Sequence, residues 1–462
     1  MTLRTTRRGR VTLVAVVVAV LGAGGTAVAV LDEPGAPPLV SAHSAAVLGR
    51  SPAPVVRDAL LPSLDEDAPV PTASGLASAI GATLADPAVA GRLVVSVVDA
   101  RTGEVVLERG ASRPLLPAST AKIATAAAAL TALDPAARLT TRVLAGAVAG
   151  EVVLVGGGDP TLAGTRSPRG YPGLARLTDL ADRVRTSLGP VVVTRVLVDE
   201  SLWSGERLGP GWKPSYVADG DVAPVGPLMV DGGRVRPDRS RRHADPALAA
   251  GQALAGLLGP GAVVARGRAP EGAEELGAVQ SPPMSLLVER MLSRSDNDLA
   301  EALARAVALA QGQPASFAGA AAAVDAVLAG LGVTGVDLDD GSGLSRSNRL
   351  QPASLTRLLA RAGTEDRFAP LLAGLPVAGF DGTLAKRYRT GPGVPAAGVV
   401  RAKTGTLDGV SALAGLVRTA DGRLLAFDLT ADGVPLGATR GAEAALDRLA
   451  AALASCGCRA AA

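Results

Sequence analysis

At 462 residues the chain is long enough for two or three domains with a large buried core. Hydrophobic residues make up 48% of it and aromatic residues only 2%, so the core must be built from Ala, Val and Leu. The net charge of +3 is small for this length, and the basic residues are scattered among nearly as many acidic ones. This pattern lacks the electrostatic footprint of a nucleic-acid-binding protein, so we expect no nucleic-acid partner.

The N-terminus has the pattern of an export segment. Four arginines among the first ten residues precede an uncharged apolar run of 21 residues, 11–31. Ala27-Val28-Ala29 is a small-x-small sequence of the kind that signal peptidase cuts after, and the run is also long enough to span a bilayer. We expect residues 1–31 to be a signal peptide or an N-terminal membrane anchor. The rest of the chain is then exported, and contacts the membrane only through this segment if it stays uncleaved.

Residues 32–72 are rich in Pro, Ala and Asp and have no sustained periodicity, which predicts a flexible linker. A helical pattern follows at 75–84. Two β-rich runs, 93–98 and 104–108, are joined by a hairpin signal. An Ala-rich helix is then predicted over about 119–133.

The middle of the chain changes character. Short Val-rich strands at 141–144, 151–155 and 191–198 alternate with Gly/Pro loops, and few long helices appear before 246–258. We interpret residues 139–278 as an inserted β-rich domain.

Helical periodicity returns at 285–292 and 298–310. Two apolar runs, 410–418 and 423–429, flank Asp421-Gly422, which is a strong hairpin signal. A final helix over about 442–454 would cover the resulting sheet.

The predicted catalytic domain therefore has two parts, residues 73–138 and residues 279–462, on either side of the insertion.

Lysine is scarce, with four in the chain: Lys122, Lys213, Lys386 and Lys403. Lys122 closes the motif Ser119-Thr120-Ala121-Lys122, whose first and last residues share one face of a helix. Ser119 falls at the helix N-terminus, where the dipole and free amides favour negative charge. Unlike arginine, lysine can lose its proton and act as a base. We predict Ser119 as nucleophile and Lys122 as its base; a chance match or a surface pair is the alternative.

Ser295-Asp296-Asn297 is the second candidate motif. Its serine and asparagine are two residues apart, so both can point into one cleft only from a loop or an extended segment. The same three residues also suit a helix N-cap, which is the alternative interpretation.

Lys403-Thr404-Gly405-Thr406 is the third motif, just before the predicted strand at 410–418. A glycine inside a strand often marks the close approach of another backbone or a ligand. A substrate could add to this strand in the antiparallel sense, with Thr404 on its carboxylate. The Thr406 amide would join that of Ser119 as an oxyanion hole. A plain surface turn is the alternative.

These three motifs, in this order, are those of class A β-lactamases and penicillin-binding proteins. The 172 residues between Lys122 and Ser295 leave room for a whole inserted domain, which a compact β-lactamase does not have. In this respect the chain resembles the low-molecular-mass class C penicillin-binding proteins, the D-alanyl-D-alanine carboxypeptidase/endopeptidase family of serine peptidases. The resemblance covers about residues 75–455 and extends to further segments: Gly156-Gly157-Gly158-Asp159-Pro160-Thr161-Leu162, Ser281-Pro282-Pro283-Met284, Ala300-Glu301, Asp340-Gly341-Ser342-Gly343-Leu344-Ser345-Arg346 and Gly382-Thr383-Leu384.

The resemblance implies an α/β catalytic domain with a five-stranded antiparallel sheet flanked by helices. It implies hydrolysis of D-Ala-D-Ala bonds in peptidoglycan stem peptides through an acyl-enzyme on Ser119, and acylation of the same serine by β-lactams. Ser295 would relay a proton to the leaving amine near the Lys403 cation, and Asn297 would hold the substrate amide. Ser342 and Gly343 would rim the cleft with Gly405, or would belong to a simple Gly-rich turn.

Two other functions stay open on sequence alone. One is a β-lactamase, for which no convincing deacylating glutamate follows Ser295. The other is a β-lactam sensor or cell-wall binding module that does not turn over. We expect no cofactor and no metal, because Cys456, Cys458 and the distant His43 and His243 do not make a zinc site.

Overall fold

The structure, a computed structural model, describes residues 18–21, 25–28, 67–164 and 173–457. The chain divides into two compact units, Met1–Ser63 and Leu64–Ala462. In the first unit β1 (Val18–Leu21) and β2 (Gly25–Val28) pair in the antiparallel sense. The remainder of the predicted export segment and most of the predicted linker lie outside the described residues. Within the described ranges, no helix has both the length and the apolar character needed to cross a bilayer.

The second unit contains the following helices and strands in chain order: α1 (Ala73–Leu84), β3 (Leu93–Asp99), β4 (Val105–Arg109), α2 (Ala121–Ala132), β5 (Thr140–Ala145), β6 (Glu151–Val155), α3 (Leu177–Leu188), β7 (Arg195–Asp199), α4 (Tyr216–Asp219), α5 (Pro246–Leu258), β8 (Val263–Arg266), β9 (Glu275–Gln280), α6 (Met284–Arg294), α7 (Asn297–Ala310), α8 (Phe317–Gly330), β10 (Val336–Asp337), β11 (Arg349–Leu350), α9 (Pro352–Ala362), α10 (Ala369–Gly374), β12 (Val400–Leu407), β13 (Val410–Arg418), β14 (Leu424–Asp432) and α11 (Thr439–Ser455).

The larger sheet joins the two ends of this unit. Its strand order is β12-β13-β14-β3-β4, and every neighbouring pair is antiparallel. Phe427 on β14 lies opposite Val97 on β3, and both are fully buried. The predicted hairpin at Asp421-Gly422 joins β13 to β14, with Gly422 at a φ of 93°.

Alternation along the strands sends side chains to both faces of this sheet, and each face is covered by helices. One face packs with Leu76 of α1 and Leu446 of α11. The opposite face packs with the Ala-rich helix α2 and with leucines of α7 and α9. Burying each large apolar side chain contributes roughly 1.5–3 kcal/mol. The predicted α/β fold, a five-stranded antiparallel sheet flanked by helices, is confirmed.

A second five-stranded sheet is formed by chain segments between Lys122 and Ser295. Its order is β8-β7-β6-β5-β9, with parallel pairs at β6–β7 and β7–β8 and antiparallel pairs elsewhere. Parallel neighbours need a crossover connection, which here contains α3 and α5 respectively. Its buried hydrophobic cluster runs from Val143 to Val279 in the sequence.

Two details of the sequence interpretation are wrong in this region. The helix α3 was not predicted, although Leu177, Leu180, Ala181 and Val184 are buried at the spacing of one helix face. The strand predicted over 191–198 begins at Arg195 instead. Val191 and Val192, which precede it, are exposed to 44% and 71%, whereas Val193 is buried in the hydrophobic cluster of this sheet without joining the strand.

Candidate active site

Ser119 lies in a single turn of 3-10 helix, Ala118–Thr120, that runs directly into α2. Ala118 has a φ of +48°, an uncommon conformation for a residue other than glycine. Two glycines let neighbouring backbones close around this turn. A Cβ on Gly343 would lie 1.9 Å from the Ala118 carbonyl oxygen, and one on Gly405 would lie 2.8 Å from that of Pro117. The glycines of two predicted motifs therefore pack directly on the Ser119 turn.

Lys122, one turn further along α2, is fully buried. Its Nζ donates to Ser119 Oγ at 3.1 Å, to Asn297 Oδ1 at 2.6 Å and to the Ser342 carbonyl oxygen at 2.6 Å. All three acceptors are neutral. The structure thus brings the first two predicted motifs and the Asp340–Gly343 segment together on one ammonium group.

The pKa of Lys122 is lowered to about 8, mainly because burial disfavours the charged amine. Four carboxylates oppose this and raise it, in the order Asp340, Glu301, Asp296 and Asp298. Burial is therefore the main cause of the shift.

Lys403 on β12 is also fully buried. Its Nζ donates to Ser295 Oγ at 2.9 Å and to the Thr404 carbonyl oxygen at 2.7 Å. Burial holds the pKa of Lys403 well below its usual range, and the nearby charge of Lys122 lowers it further. Each of the two serines in the predicted motifs therefore has its own buried lysine.

Ser295 and Asn297 occupy the junction between α6 and α7. Ser295 ends α6 with a φ of +54°, and Asp296 caps α7 by accepting a hydrogen bond from the Leu299 amide at 3.0 Å. Asn297 is the first residue of α7, and its Nδ2 donates to the Asp221 carbonyl oxygen at 2.9 Å. The aspartate of this motif caps the helix, and the residues on either side of it contact the two lysines.

The Asp340–Gly343 segment is organised around one buried carboxylate. Asp340 accepts hydrogen bonds from the Gly343 amide at 2.8 Å, from the Ser345 amide at 2.6 Å and from Trp212 Nε1 at 2.7 Å. Ser342 is fully buried, with its Oγ 3.3 Å from Asp340. Its carbonyl oxygen, rather than its hydroxyl, is the group that reaches Lys122.

β12 is an edge strand beside this cluster. The Ala402 amide donates to the Pro376 carbonyl oxygen at 2.9 Å and so points away from β13. Since amides alternate along a strand, those of Thr404 and Thr406 face the same edge, beyond the part that pairs with residues 376–378. The Thr404 hydroxyl lies 3.0 Å from that of Thr383, a residue that sequence reasoning did not place in the site.

The Thr406 hydroxyl bonds Glu443 of α11 at 2.9 Å, a partner that the sequence did not reveal. Lys213, left without a role by the sequence, forms an ion pair with Asp408 just beyond β12. In the described part of the chain, no group of three or more His, Cys, Asp or Glu side chains is arranged to hold a metal ion.

This fold and a lysine-paired serine cluster define a serine enzyme of the penicillin-binding and β-lactamase-like class. A sequence profile of the D-Ala-D-Ala carboxypeptidase 3 (S13) family matches residues 76–244 and 238–453. The chain belongs to this family.

Two curated relatives are similar along most of the chain. Carboxypeptidase DacB of Mycolicibacterium smegmatis is 44% identical and covers 99% of this chain and 100% of its own length. Carboxypeptidase Rv3627c of Mycobacterium tuberculosis is 41% identical over 90% of this chain and 92% of its own. Among solved structures, penicillin-binding protein 4 (dacB) of Haemophilus influenzae has the same fold, with a TM-score of 0.66, 23% identity and coverage of 81% of this chain and 97% of that chain.

Replacing Gly343 with alanine tests the close packing around the Ser119 turn. The new Cβ would collide with the Ala118 carbonyl oxygen, whereas at Gly312, which also has a positive φ, it would meet nothing within 4 Å. Gly312→Ala should lose about 1 kcal/mol of unfolding free energy through backbone strain alone. Gly343→Ala should lose about 1–3 kcal/mol more, because the collision adds overpacking. Equal losses in urea unfolding would show that the turn does not depend on this contact.

Proposed function

We propose that this protein hydrolyses D-alanyl-D-alanine bonds of peptidoglycan stem peptides and cross-links through an acyl-enzyme on Ser119. The observation that carries the proposal is the pairing of each motif serine with a buried lysine: Lys122 with Ser119 and Lys403 with Ser295. Membership of the D-Ala-D-Ala carboxypeptidase family supports the substrate class.

In the acylation step Ser119 Oγ attacks the carbonyl carbon of the penultimate D-alanine. Neutral Lys122 takes the serine proton, which a pKa of about 8 makes possible near neutral pH. The negative charge on the carbonyl oxygen is held by the backbone amides of Ser119 and Thr406. The former lies at a helix start, and the latter faces the free edge of β12.

Collapse of the tetrahedral intermediate breaks the peptide bond and releases the terminal D-alanine. Its nitrogen needs a proton, which Ser295 supplies. With Lys403 Nζ donating to Ser295 Oγ, the hydroxyl hydrogen of Ser295 is free to point at the leaving nitrogen. Lys122 returns the proton to Ser295, and the same neutral amine then activates the water that hydrolyses the ester.

The substrate backbone lies antiparallel along the free edge of β12, as an added strand. Thr404, with the neighbouring hydroxyl of Thr383, binds the terminal carboxylate. Asn297 holds a substrate amide while it orients Lys122. We assign Gly405, Ser342 and Gly343 to the walls of the cleft, where they fix the Ser119 turn and Lys122.

β-Lactams would acylate Ser119 because they carry the same carbonyl and carboxylate groups. Their leaving nitrogen stays tethered to the acyl group, so water is hindered and the adduct persists. A β-lactamase would need a free general base beside the ester. Glu301 is the buried glutamate that follows the Ser-Asp-Asn motif, and its two oxygens are occupied by the Ser342 amide at 2.9 Å and by Arg305 at 2.9 Å. This arrangement favours a peptidase over a β-lactamase.

We also propose that the protein works outside the cytoplasmic membrane, secreted or anchored there through residues 1–31. The proposed division of the chain is a linker at 32–72, a catalytic domain at 73–138 and 279–462, and an inserted domain at 139–278. The separate hydrophobic cluster of the second sheet supports the last boundary.

Removing the nucleophile is the direct test. Ser119→Ala should abolish covalent labelling by a fluorescent penicillin and lower release of D-alanine from a D-Ala-D-Ala peptide by about 10³-fold or more, since alanine has no hydroxyl with which to form the ester. Ser345→Ala, which changes a serine of the segment Asp340–Arg346 that is not proposed to react, is the control. Labelling of Ser119→Ala equal to that of the parent would refute the assignment; labelling of the parent without D-alanine release would favour the sensor.

Acylation should depend on pH through the neutral amine of Lys122. Because the amine is protonated below its pKa of about 8, the acylation rate should fall as pH decreases below that value. The fall approaches about tenfold per pH unit, and the rate should level off at higher pH. Stopped-flow labelling from about pH 6 to 9.5 measures it. A rate that is flat across this range would mean that Lys122 is not the proton acceptor.

The penicillin adduct should be long-lived. Both Glu301 oxygens are engaged, so we expect slow hydrolysis of the penicillin adduct. The rate at which the labelled protein regains activity should be at least about 10³-fold lower than the turnover rate for the peptide substrate. Return of D-alanine release after removal of free penicillin gives the rate. Recovery within seconds would instead assign the protein as a β-lactamase.

A further inference from the structure

Asp298 directly follows the Ser-Asp-Asn motif and forms a buried ion pair with Arg242. In the sequence, Arg242 lies between Lys122 and Ser295. Arg242 Nη2 and Asp298 Oδ2 are 3.1 Å apart, and the two side chains are 3% and 1% exposed. The contact is an ion pair without an aligned hydrogen bond, because Asp298 Oδ2 has no hydrogen-bond partner. A buried pair of this kind is costly to break, since the remaining charge is left without compensation.

Asn297 and Asp298 together hold one short segment, residues 221–223, at two points. Asn297 Nδ2 donates to the Asp221 carbonyl oxygen at 2.9 Å, and Asp298 Oδ1 accepts from the Ala223 amide at 2.7 Å. Val222, between these two points, is fully buried. The segment is therefore fixed to the start of α7 by both of its ends.

The same segment is confined from its other side. A Cβ on Gly220 would lie 2.5 Å from the Ser240 carbonyl oxygen, and one on Gly233 would lie 2.7 Å from Ala223 Cβ. Arg242 Nη1 donates to the Gly232 carbonyl oxygen at 2.9 Å, so one guanidinium group ties this neighbouring loop to Asp298. The segment has little room to move while the ion pair is intact.

The position of this segment decides what the Asn297 amide presents to Lys122. The Asp221 carbonyl accepts from Nδ2, which leaves Oδ1 to face Lys122 Nζ at 2.6 Å. In the opposite orientation an amide NH₂ would face the amine of Lys122 and a carbonyl would face a carbonyl. Loss of the Asp221 contact would therefore leave the amide free to turn, and Lys122 could lose Asn297 Oδ1, one of the two oxygens that hold it against Ser119.

We propose that Asp298 is a positioning residue for acylation of Ser119: paired with Arg242, it fixes residues 221–223, which orient the Asn297 amide against Lys122. The inference rests on the proposed function, in which Lys122 is the base. Asp298 itself touches neither Ser119 nor the substrate in this scheme. Its influence reaches the reaction through the segment and Asn297.

The test is the plateau rate of fluorescent-penicillin acylation at about pH 9.5, where the amine of Lys122 is mostly neutral in every variant. The charge of Asp298 also raises the pKa of Lys122 directly. Removing that charge would move the pH dependence to lower pH but would leave the plateau unchanged. A fall in the plateau therefore reports positioning rather than the lost charge.

Asp298→Asn keeps the side-chain shape and removes the partner of Arg242. We expect its plateau rate to fall about tenfold, as for a displaced catalytic group. Asp99→Asn is the matched control, because Asp99 also accepts backbone amides with one oxygen and pairs with a buried arginine, Arg423, through the other. Both variants should melt at lower temperature, but the control should keep its plateau rate within about twofold.

A double-mutant cycle with Asn297→Ala identifies the route of the effect. Once the amide is gone, adding Asp298→Asn should change the plateau rate less than about twofold, because both changes act on the same contact. Arg242→Lys is a second variant that keeps the charge but cannot reach Gly232 and Asp298 at once, and it should lower the plateau about threefold.

An unchanged plateau rate in Asp298→Asn would overturn the proposal and leave the ion pair a purely structural role. If Asp298→Asn does not fold, an unchanged plateau rate in Arg242→Lys would overturn the proposal in the same way. Fully additive effects with Asn297→Ala would overturn it as well, since Asp298 would then act by another route. A parent protein that is not acylated, or a Ser119→Ala protein that is, would instead contradict the proposed function.

Discussion

The structure depends on one costly arrangement, the complete burial of two lysine ammonium groups in one site. Lysine is seldom fully buried, because its charge loses the hydration of water. Here neither Lys122 nor Lys403 has measurable exposure, whereas Ser119 and Ser295 beside them are half-buried. The elements that supply their contacts are the start of α2, the α6–α7 junction, the Asp340–Gly343 segment and the edge strand β12. The two packed faces of the sheet hold these elements in place, so that Ser119 and Ser295 are partly exposed while the two lysines are buried.

The placement of negative charge explains how burial can leave Lys122 able to lose its proton. A carboxylate bonded directly to the amine would stabilise the charged form and raise its pKa. Instead, Lys122 contacts three neutral oxygens, and the buried carboxylates of Asp340 and Glu301 lie behind the Asp340–Gly343 backbone. Backbone amides, Trp212 and Arg305 engage these carboxylates. Burial raises the pKa of Glu301 to about 7, so its own charge is also reduced near neutral pH. The net result is an amine with a pKa of about 8.

The sequence predicted what depends on local pattern and missed what depends on distant partners. Two apolar runs and the Asp-Gly turn between them placed β13 and β14 within a few residues, and three short motifs named five side chains, two of them lysines, that the fold brings together. A glycine in a strand signalled close approach at Gly405, and its partner is the Ser119 turn. In contrast, nothing near Asp340 or Asp298 in the chain reveals Trp212 or Arg242, because those contacts span 128 and 56 residues. The helix α3 was missed for another reason, since the Val-rich strands around it dominated the pattern.

The path of the chain between Lys122 and Ser295 explains why the motifs can be so far apart in sequence without being separated in space. The chain leaves α2 through β5 and returns to α6 through β9, and these strands pair as antiparallel neighbours, with Thr140 opposite Gln280. The two ends of this stretch therefore lie side by side, so its length adds little to the entropic cost of bringing the motifs together. The same stretch also contacts the residues around Lys122, through Trp212 on Asp340 and the Asp221 carbonyl on Asn297. It thus supplies part of the polar support for Lys122, and its removal would take one hydrogen-bond partner from Asn297 and one from Asp340.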